Sequence, residues 1–399
     1  MTPRVRLAAG AAVALAVVVL VAAAVLVGTA PHPSPVPPSP LPSATPAAVS
    51  PLPSPVVPLL PSASAPTATP APPVVPGPPA SCGPFDPACS RLPISGQGQL
   101  AFTSQLSCGT LGPCTLDLDV YYPRLASATP GATGSGPGRT GPWPVIVAVP
   151  GGPAAPGIRH GLGDFASLLA GQGAVVFVAD YREGAQYGGT FPLPYEDIGC
   201  AIRYARANAA QYGGNGSKVT LVAHSLGGFF ASTEALSPDP FTPAPGACLT
   251  TSGSTKPDAF IGIAGIYSQQ EITPGFLNTF FGTVGGVADG GSAGATSALP
   301  GSGTPGVPSV QASAPADWAA GNPFALVRAH GNPGLVVRLI QGADDTNVRP
   351  AEAQSFEQAL QAAGYNAVLT MVPSADHNSV LQNALTIRTV METALGLGQ

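Results

Sequence analysis

Charge is scarce in this sequence. Fifteen Lys and Arg and 20 Asp and Glu make up 9% of 399 residues, for a net charge of −5. Nucleic-acid binding needs clustered basic side chains to neutralise phosphates, and no such cluster occurs, so no nucleic-acid partner is expected. Cysteine is absent from the first 80 residues, and Cys-x-x-Cys occurs nowhere. With no His beside the six cysteines, a zinc site is disfavoured, and no metal or organic cofactor is implied. Residues 31–80 also lack aliphatic periodicity: Pro alternates there with Ser, Ala, Thr, Val and Leu. Such a stretch cannot bury enough apolar surface to offset its backbone entropy. It reads as a Pro-rich disordered linker, extended and semi-rigid.

The first 30 residues are more informative. Arg4 and Arg6 precede an unbroken apolar run from Leu7 to Val27, long enough to cross a membrane. The basic start and the small residues Gly28-Thr29-Ala30 also suit a secretory signal peptide. The run exceeds the usual signal core, and Pro31 hinders cleavage after Ala30. A retained transmembrane anchor is therefore placed slightly ahead of a cleaved signal, with both readings open. Either one makes the remainder extracytoplasmic, secreted or held to the membrane by residues 7–27.

An even number of cysteines in an exported chain reads as disulfides. Sequence leaves the connectivity open. Neighbour pairing is the simplest scheme: Cys82 with Cys89, Cys108 with Cys114, and Cys200 with Cys248. Its alternative leaves Cys200 a free thiol and joins Cys248 to the N-terminal cysteines.

From residue 81 to 399 the chain is long enough for one substantial core. Apolar, β-branched runs occur at Trp143–Val149, Ala174–Ala179, Lys218–Ala223, Ala259–Ala264, Leu335–Ile340 and Ala367–Val372. Helical patterns occur at Gly163–Gly171, Glu196–Tyr212, Leu226–Leu236, Ala351–Ala363 and Ser379–Leu395. This alternation predicts an α/β fold, a mostly parallel sheet with helices on both faces. Gln99–Leu106 and Thr115–Tyr122 flank the loop Cys108-Gly-Thr-Leu-Gly-Pro-Cys114 and read as an N-terminal antiparallel hairpin at the sheet edge. Residues 282–316, rich in Gly, Ser, Ala and Pro, read as a flexible surface insertion, with a lid as the functional alternative.

The strand Lys218–Ala223 runs into His224-Ser225-Leu226-Gly227-Gly228 and then into a helix. This is a nucleophile elbow, small-x-Ser-x-Gly on a sharp strand-to-helix turn. The strained backbone at Ser225 demands small residues two positions away on each side. Gly227 meets the demand, and Ala223 adds one methyl where the first Gly usually stands. The N–H of Leu226, at the helix start, points to where an oxyanion would form.

Phe191-Pro-Leu-Pro-Tyr-Glu-Asp197, Ala201-Ile-Arg-Tyr-Ala-Arg-Ala-Asn208, Tyr212-Gly-Gly and Ala223-His-Ser-Leu-Gly-Gly228 together resemble the carboxylesterase-type α/β hydrolases. The resemblance is nearest to the hormone-sensitive-lipase-like and feruloyl-esterase-like branch, and it covers most of residues 141–399. It implies the α/β-hydrolase fold. It also implies that Asp197 and Tyr212-Gly-Gly are packing positions around the elbow rather than chemistry.

A serine nucleophile needs a base, itself oriented by a carboxylate, in the chain order Ser, acid, His. Two histidines follow Ser225. His330 precedes a strand and falls at the wrong end of the sheet, whereas His377 follows the last strand at its carboxyl end. The resemblance places its catalytic His there too. It also places the acid three residues after a Gly and three before a Val, which selects Asp345 between Gly342 and Val348. Asp344 is one position off, and Asp376 adjoins His377 too closely to reach its ring. Pro150-Gly151-Gly152-Pro153 is similar to the family's His-Gly-Gly-Gly. It implies an oxyanion hole of two donors, Gly152 and Leu226, since Pro153 carries no N–H. Tyr181, Arg182, Tyr187 and Phe191 are candidates to line the pocket, with Trp318 and Phe324 ambiguous.

The expectation is a serine hydrolase that cleaves carboxylic esters, small-molecule or lipid-like, through an acyl-enzyme. A peptidase and a cell-envelope acyltransferase would keep the same three residues. An inactive binding module displayed on the Pro-rich stalk is the reading from another class.

Overall fold

The computed structural model describes residues 85–87, 91–124, 141–152, 158–238, 241–268, 272, 276–277, 280–281 and 315–396. The expected signal or anchor, the linker, the Cys82–Cys89 pair and most of the 282–316 insertion lie outside them. No described helix is long and apolar enough to cross a membrane.

Among the described residues are ten strands, of which the last six alternate with helices in the order the apolar runs predict. They are β1 Ile94–Ala101, β2 Leu106–Ser107, β3 Pro113–Cys114, β4 Asp117–Pro123, β5 Trp143–Val149, β6 Val175–Ala179, β7 Gly214–His224, β8 Ala259–Ile263, β9 Val336–Gly342 and β10 Asn366–Val372. Eight of them form one sheet in the order β1-β4-β6-β5-β7-β8-β9-β10. From β6 to β10 every neighbouring pair is parallel, while β4 runs antiparallel to both β6 and β1.

Among the parallel strands β5, β6 and β8 are apolar throughout, because both of their faces are covered. Along β5, Val145, Val147 and Val149 face one core, and Ile146 and Ala148 face the other. The second core is closed by α1 (Gly163–Gly171) through Phe165 and Leu169, and by the C-terminal helix Ala384–Ala394 through Ile387, Val390 and Met391. The first is closed by α2 (Leu193–Asn208), α3 (Gly227–Leu236), and the helices Pro323–Arg328 and Pro350–Ala362. Helices on both faces leave only the strand ends open, and the loops at the carboxyl ends become the place for a site.

The edge departs from the predicted strands. The long pairing is β1 with β4, joining Ile94 to Pro123 and Ala101 to Asp117. The tight hairpin is the separate pair β2–β3, closed by the Cys108–Cys114 disulfide. Gly and Gln dominate β1 and its middle is exposed, so hydrophobic periodicity could not bound it. A second disulfide joins Cys200 in α2 to Cys248, with Cα atoms 5.3 Å apart. Residues 102–104 meet the same loop: Thr103 bridges Cys248, and Leu249 N–H donates to Phe102 O at 3.0 Å. The helix Pro315–Ala320 opens inside the span expected as insertion.

Candidate active site

β7 ends at His224 and α3 begins at Gly227, so Ser225 occupies the turn between them with φ +55°. A left-handed non-glycine residue costs about 1–3 kcal/mol and persists only where its surroundings over-determine it. Here Ser225 N–H donates to Ile263 O (3.2 Å), and Ser225 O accepts from Gly228 N (2.9 Å) and Ile266 N (3.0 Å). A methyl at Gly227 would lie 2.5 Å from Pro150 O, which is why that position must be glycine. Ala223 is accommodated, fully buried.

The structure brings Asp345 and His377 to this serine. His377 sits in the loop after β10, and its Nε2 lies 3.0 Å from Ser225 Oγ. Its Nδ1 lies 2.9 Å from Asp345 Oδ2. Asp345, in the loop after β9, is buried and otherwise saturated. Its Oδ1 accepts from Asn347 N and Val348 N, both at 2.9 Å, and its Oδ2 accepts from Gln341 Nε2 at 2.9 Å. These donors compensate the buried charge and leave Oδ2 aimed at the imidazole. The rivals point elsewhere. Asp344 is exposed, and Asp376 spends its Oδ1 on Asn378 N and Ser379 N. Those backbone bonds hold the Asp376 carboxyl below its ordinary value. His330 lies before β9 at the opposite end of that strand.

A carboxylate at Nδ1 fixes the tautomer that leaves Nε2 free to take the serine proton, and it stabilises the imidazolium that follows. The arrangement can therefore turn a weak hydroxyl into a nucleophile.

The two glycines of the loop after β5 divide the labour. Close approach is demanded of Gly151, where a methyl would come 2.6 Å from Ser225 Cβ and 2.7 Å from Leu226 N. Gly152 has open space around it but adopts φ +139°, a conformation reserved for glycine. Among the described residues, no turn or loop backbone hydrogen bond takes up the N–H of Gly152 or of Leu226.

Two supporting residues escaped the sequence reading. His224 Nε2 donates to the backbone O of His377 (2.9 Å), and the two rings lie 4.7 Å apart. Burial lowers the His224 pKa to about 4, so the ring is neutral and serves as a donor at neutral pH. The other is Gln341, fully buried at the end of β9, which holds both Asp345 Oδ2 and Val348 O. Position alone could have raised both, since each adjoins the end of a predicted strand.

Of the expected lining residues, Tyr181, Arg182 and Tyr187 border a cavity of about 80 Å³. Arg182 is held bidentate by buried Asp197 at 2.8 and 2.7 Å, which accounts for Asp197 as a packing position. Phe191 packs instead among Tyr195, Phe241, Phe280 and Phe281. Phe324 packs on Phe356, and Trp318 is buried in the same core.

The described domain has the α/β-hydrolase fold. Residues 135–266 match the BD-FAE family model, a segment that contains Gly152, Ser225 and Leu226 and ends before Asp345 and His377. Esterase LipC of Mycobacterium tuberculosis is 33% identical over 133 residues, which are 33% of this chain and 32% of that protein. Among solved structures, a bifunctional GH43-CE protein of Bacteroides eggerthii aligns with TM-score 0.51 and 20% identity, over 75% of this chain and 35% of that one. Thermogutta terrifontis esterase 2, phosphoramylated by tabun, aligns with TM-score 0.50 and 19% identity, over 76% and 96%. The chain thus spans about a third of the length of the LipC and GH43-CE relatives.

Proposed function

We propose that this domain hydrolyses carboxylic esters through an acyl-enzyme formed on Ser225. His377 takes the hydroxyl proton as Oγ attacks the carbonyl, and later returns it to the leaving alcohol. Asp345 holds the ring and balances its charge. Gly152 and Leu226 N–H groups receive the oxyanion, each donor contributing on the order of 3 kcal/mol to the transition state. Water then attacks the acyl-enzyme by the same route in reverse. The observation that carries this reading is the single imidazole set 3.0 Å from Ser225 Oγ and 2.9 Å from Asp345 Oδ2.

The substrate is a small-molecule or lipid-like ester. The Cys108–Cys114 and Cys200–Cys248 disulfides support an extracytoplasmic location, where oxidised cysteines persist, with residues 7–27 as the export signal or anchor. Hydrolysis of p-nitrophenyl esters of increasing acyl length tests the reading. Full-length protein should release p-nitrophenol in a burst followed by steady turnover, and Ser225→Ala should release none above the buffer rate. Turnover of every ester by Ser225→Ala at the wild-type rate would overturn it.

A further inference from the structure

A second polar feature lies beside the candidate site and takes no part in the chemistry above. Glu183, just beyond the carboxyl end of β6, is 2% exposed. Both of its carboxyl oxygens are buried with no hydrogen-bond partner. The neighbouring Tyr181 hydroxyl interacts with the carboxyl, but the partner it meets in hydrogen-bond geometry is Pro150 O at 3.0 Å. Burying a carboxyl without a partner is costly. A protein that keeps one in a cavity wall leaves it for something that enters.

Glu183 lines the cavity of about 80 Å³ together with Asp180, Tyr181, Arg182, Tyr187 and the Cys108–Cys114 disulfide. The walls are fixed before any ligand arrives. Thr110 Oγ1 donates to Gln186 O (3.0 Å), and a methyl at Gly188 would strike Ser107 O at 2.6 Å, so the disulfide loop and the Gly184–Gly189 segment are in direct contact. The cavity also adjoins the elbow. Tyr181 lines it on one side and on the other bonds Pro150 O, the atom against which Gly227 packs. One tyrosine side chain thus separates the cavity from the turn that carries Ser225.

The charge around the cavity selects the sign of the ligand. Arg159 is taken up by Asp119 and Asp180, and Arg182 by Asp197. Neither guanidinium is left for Glu183, and on the cavity wall itself the carboxyls of Asp180 and Glu183 stand against the one guanidinium of Arg182. An anion would meet repulsion. An organic cation would find a carboxylate and two tyrosine rings, a combination that favours ammonium groups. We propose that this cavity is a subsite for the cationic, ammonium-bearing limb of the substrate, with Glu183 as its counter-ion. The proposal rests on the hydrolase reading only for the word substrate; the cation site stands on its own geometry. Burial pushes the Glu183 carboxyl up to about 8, so an entering cation releases its proton to solvent and binds more tightly as pH rises toward that value.

Acetylcholine and its neutral isostere 3,3-dimethylbutyl acetate test the proposal on the full chain at pH 8. Wild-type kcat/KM should favour the cationic ester about tenfold, equivalent to about 1.4 kcal/mol. Glu183→Gln should bring the ratio close to one. A wild-type ratio near one, or a preference that survives Glu183→Gln, would overturn the subsite. Calorimetric titration of choline and of 3,3-dimethylbutanol into Ser225→Ala protein separates this claim from the hydrolase reading. Choline binding without hydrolysis of either ester would keep the cation site and remove the hydrolase. Hydrolysis of the neutral ester with choline binding no better than 3,3-dimethylbutanol would keep the hydrolase and remove the cation site.

Discussion

His224 reaches across the site to hold the backbone of His377: its Nε2 donates to His377 O at 2.9 Å, with the rings 4.7 Å apart. The residue before the candidate nucleophile thereby fixes the loop that carries the candidate base. His224→Ala removes that tie and should lower kcat by roughly 10- to 100-fold, the penalty of a misplaced reacting group. KM should change little, because His224 is not expected to touch substrate. Steady-state kinetics on a p-nitrophenyl ester reads the split.

The same ring should make stability depend on pH. Its native pKa is lowered to about 4 by burial, against about 6.5 in the unfolded chain. Above pH 6.5 neither state binds the proton. As pH falls from 6.5 toward 4 the unfolded state takes up a proton that the native state refuses, and stability drops by up to about 3 kcal/mol. His224→Gln abolishes this contribution. The Tm advantage of wild type over the variant should therefore shrink between pH 7 and pH 4.5, as thermal unfolding at the two pH values will read.

Asp345 and Asp344 are adjacent in sequence and opposite in environment, one buried against His377 and the other exposed. Asp345→Asn should lower kcat by roughly 10⁴-fold, since an amide favours the wrong imidazole tautomer. Asp344→Asn should stay within a few-fold of wild type. A reversed ranking in kcat would reassign the acid.

The Cys200–Cys248 bridge closes a separation of 48 residues around Ser225. By loop entropy it contributes about 4 kcal/mol. A Cys200→Ser, Cys248→Ser protein should lose about that much in denaturant unfolding, and non-reducing peptide mapping of wild type should recover the two cysteines in one crosslinked pair.

Sequence revealed most where burial was two-sided. Trp143–Val149 and the runs near Ala174 and Ala259 are strands because apolar side chains fill both faces, and their bounds, like those of the runs near Leu335 and Ala367, fall within two residues of the apolar runs. Pattern failed where backbone geometry, not side-chain burial, sets the element. β7 starts at Gly214, four residues before its apolar run, because Gly214 pairs with Trp143 across the sheet. The last helix breaks at Asn383, whose side chain accepts from Leu385 N and caps Ala384–Ala394, splitting a segment that periodicity joined. Ser225 was legible because its turn imposes small neighbours on the sequence. Gln341 and Glu183 were not, because their roles depend on what burial brings beside them.

The most direct measurement is intact-mass and peptide analysis after treatment of the full-length protein with a fluorophosphonate. One adduct per chain is expected, on the peptide containing Ser225, formed fast in wild type, slowly in His377→Ala and not at all in Ser225→Ala. An adduct on another residue, or labelling of Ser225→Ala at the wild-type rate, would contradict it.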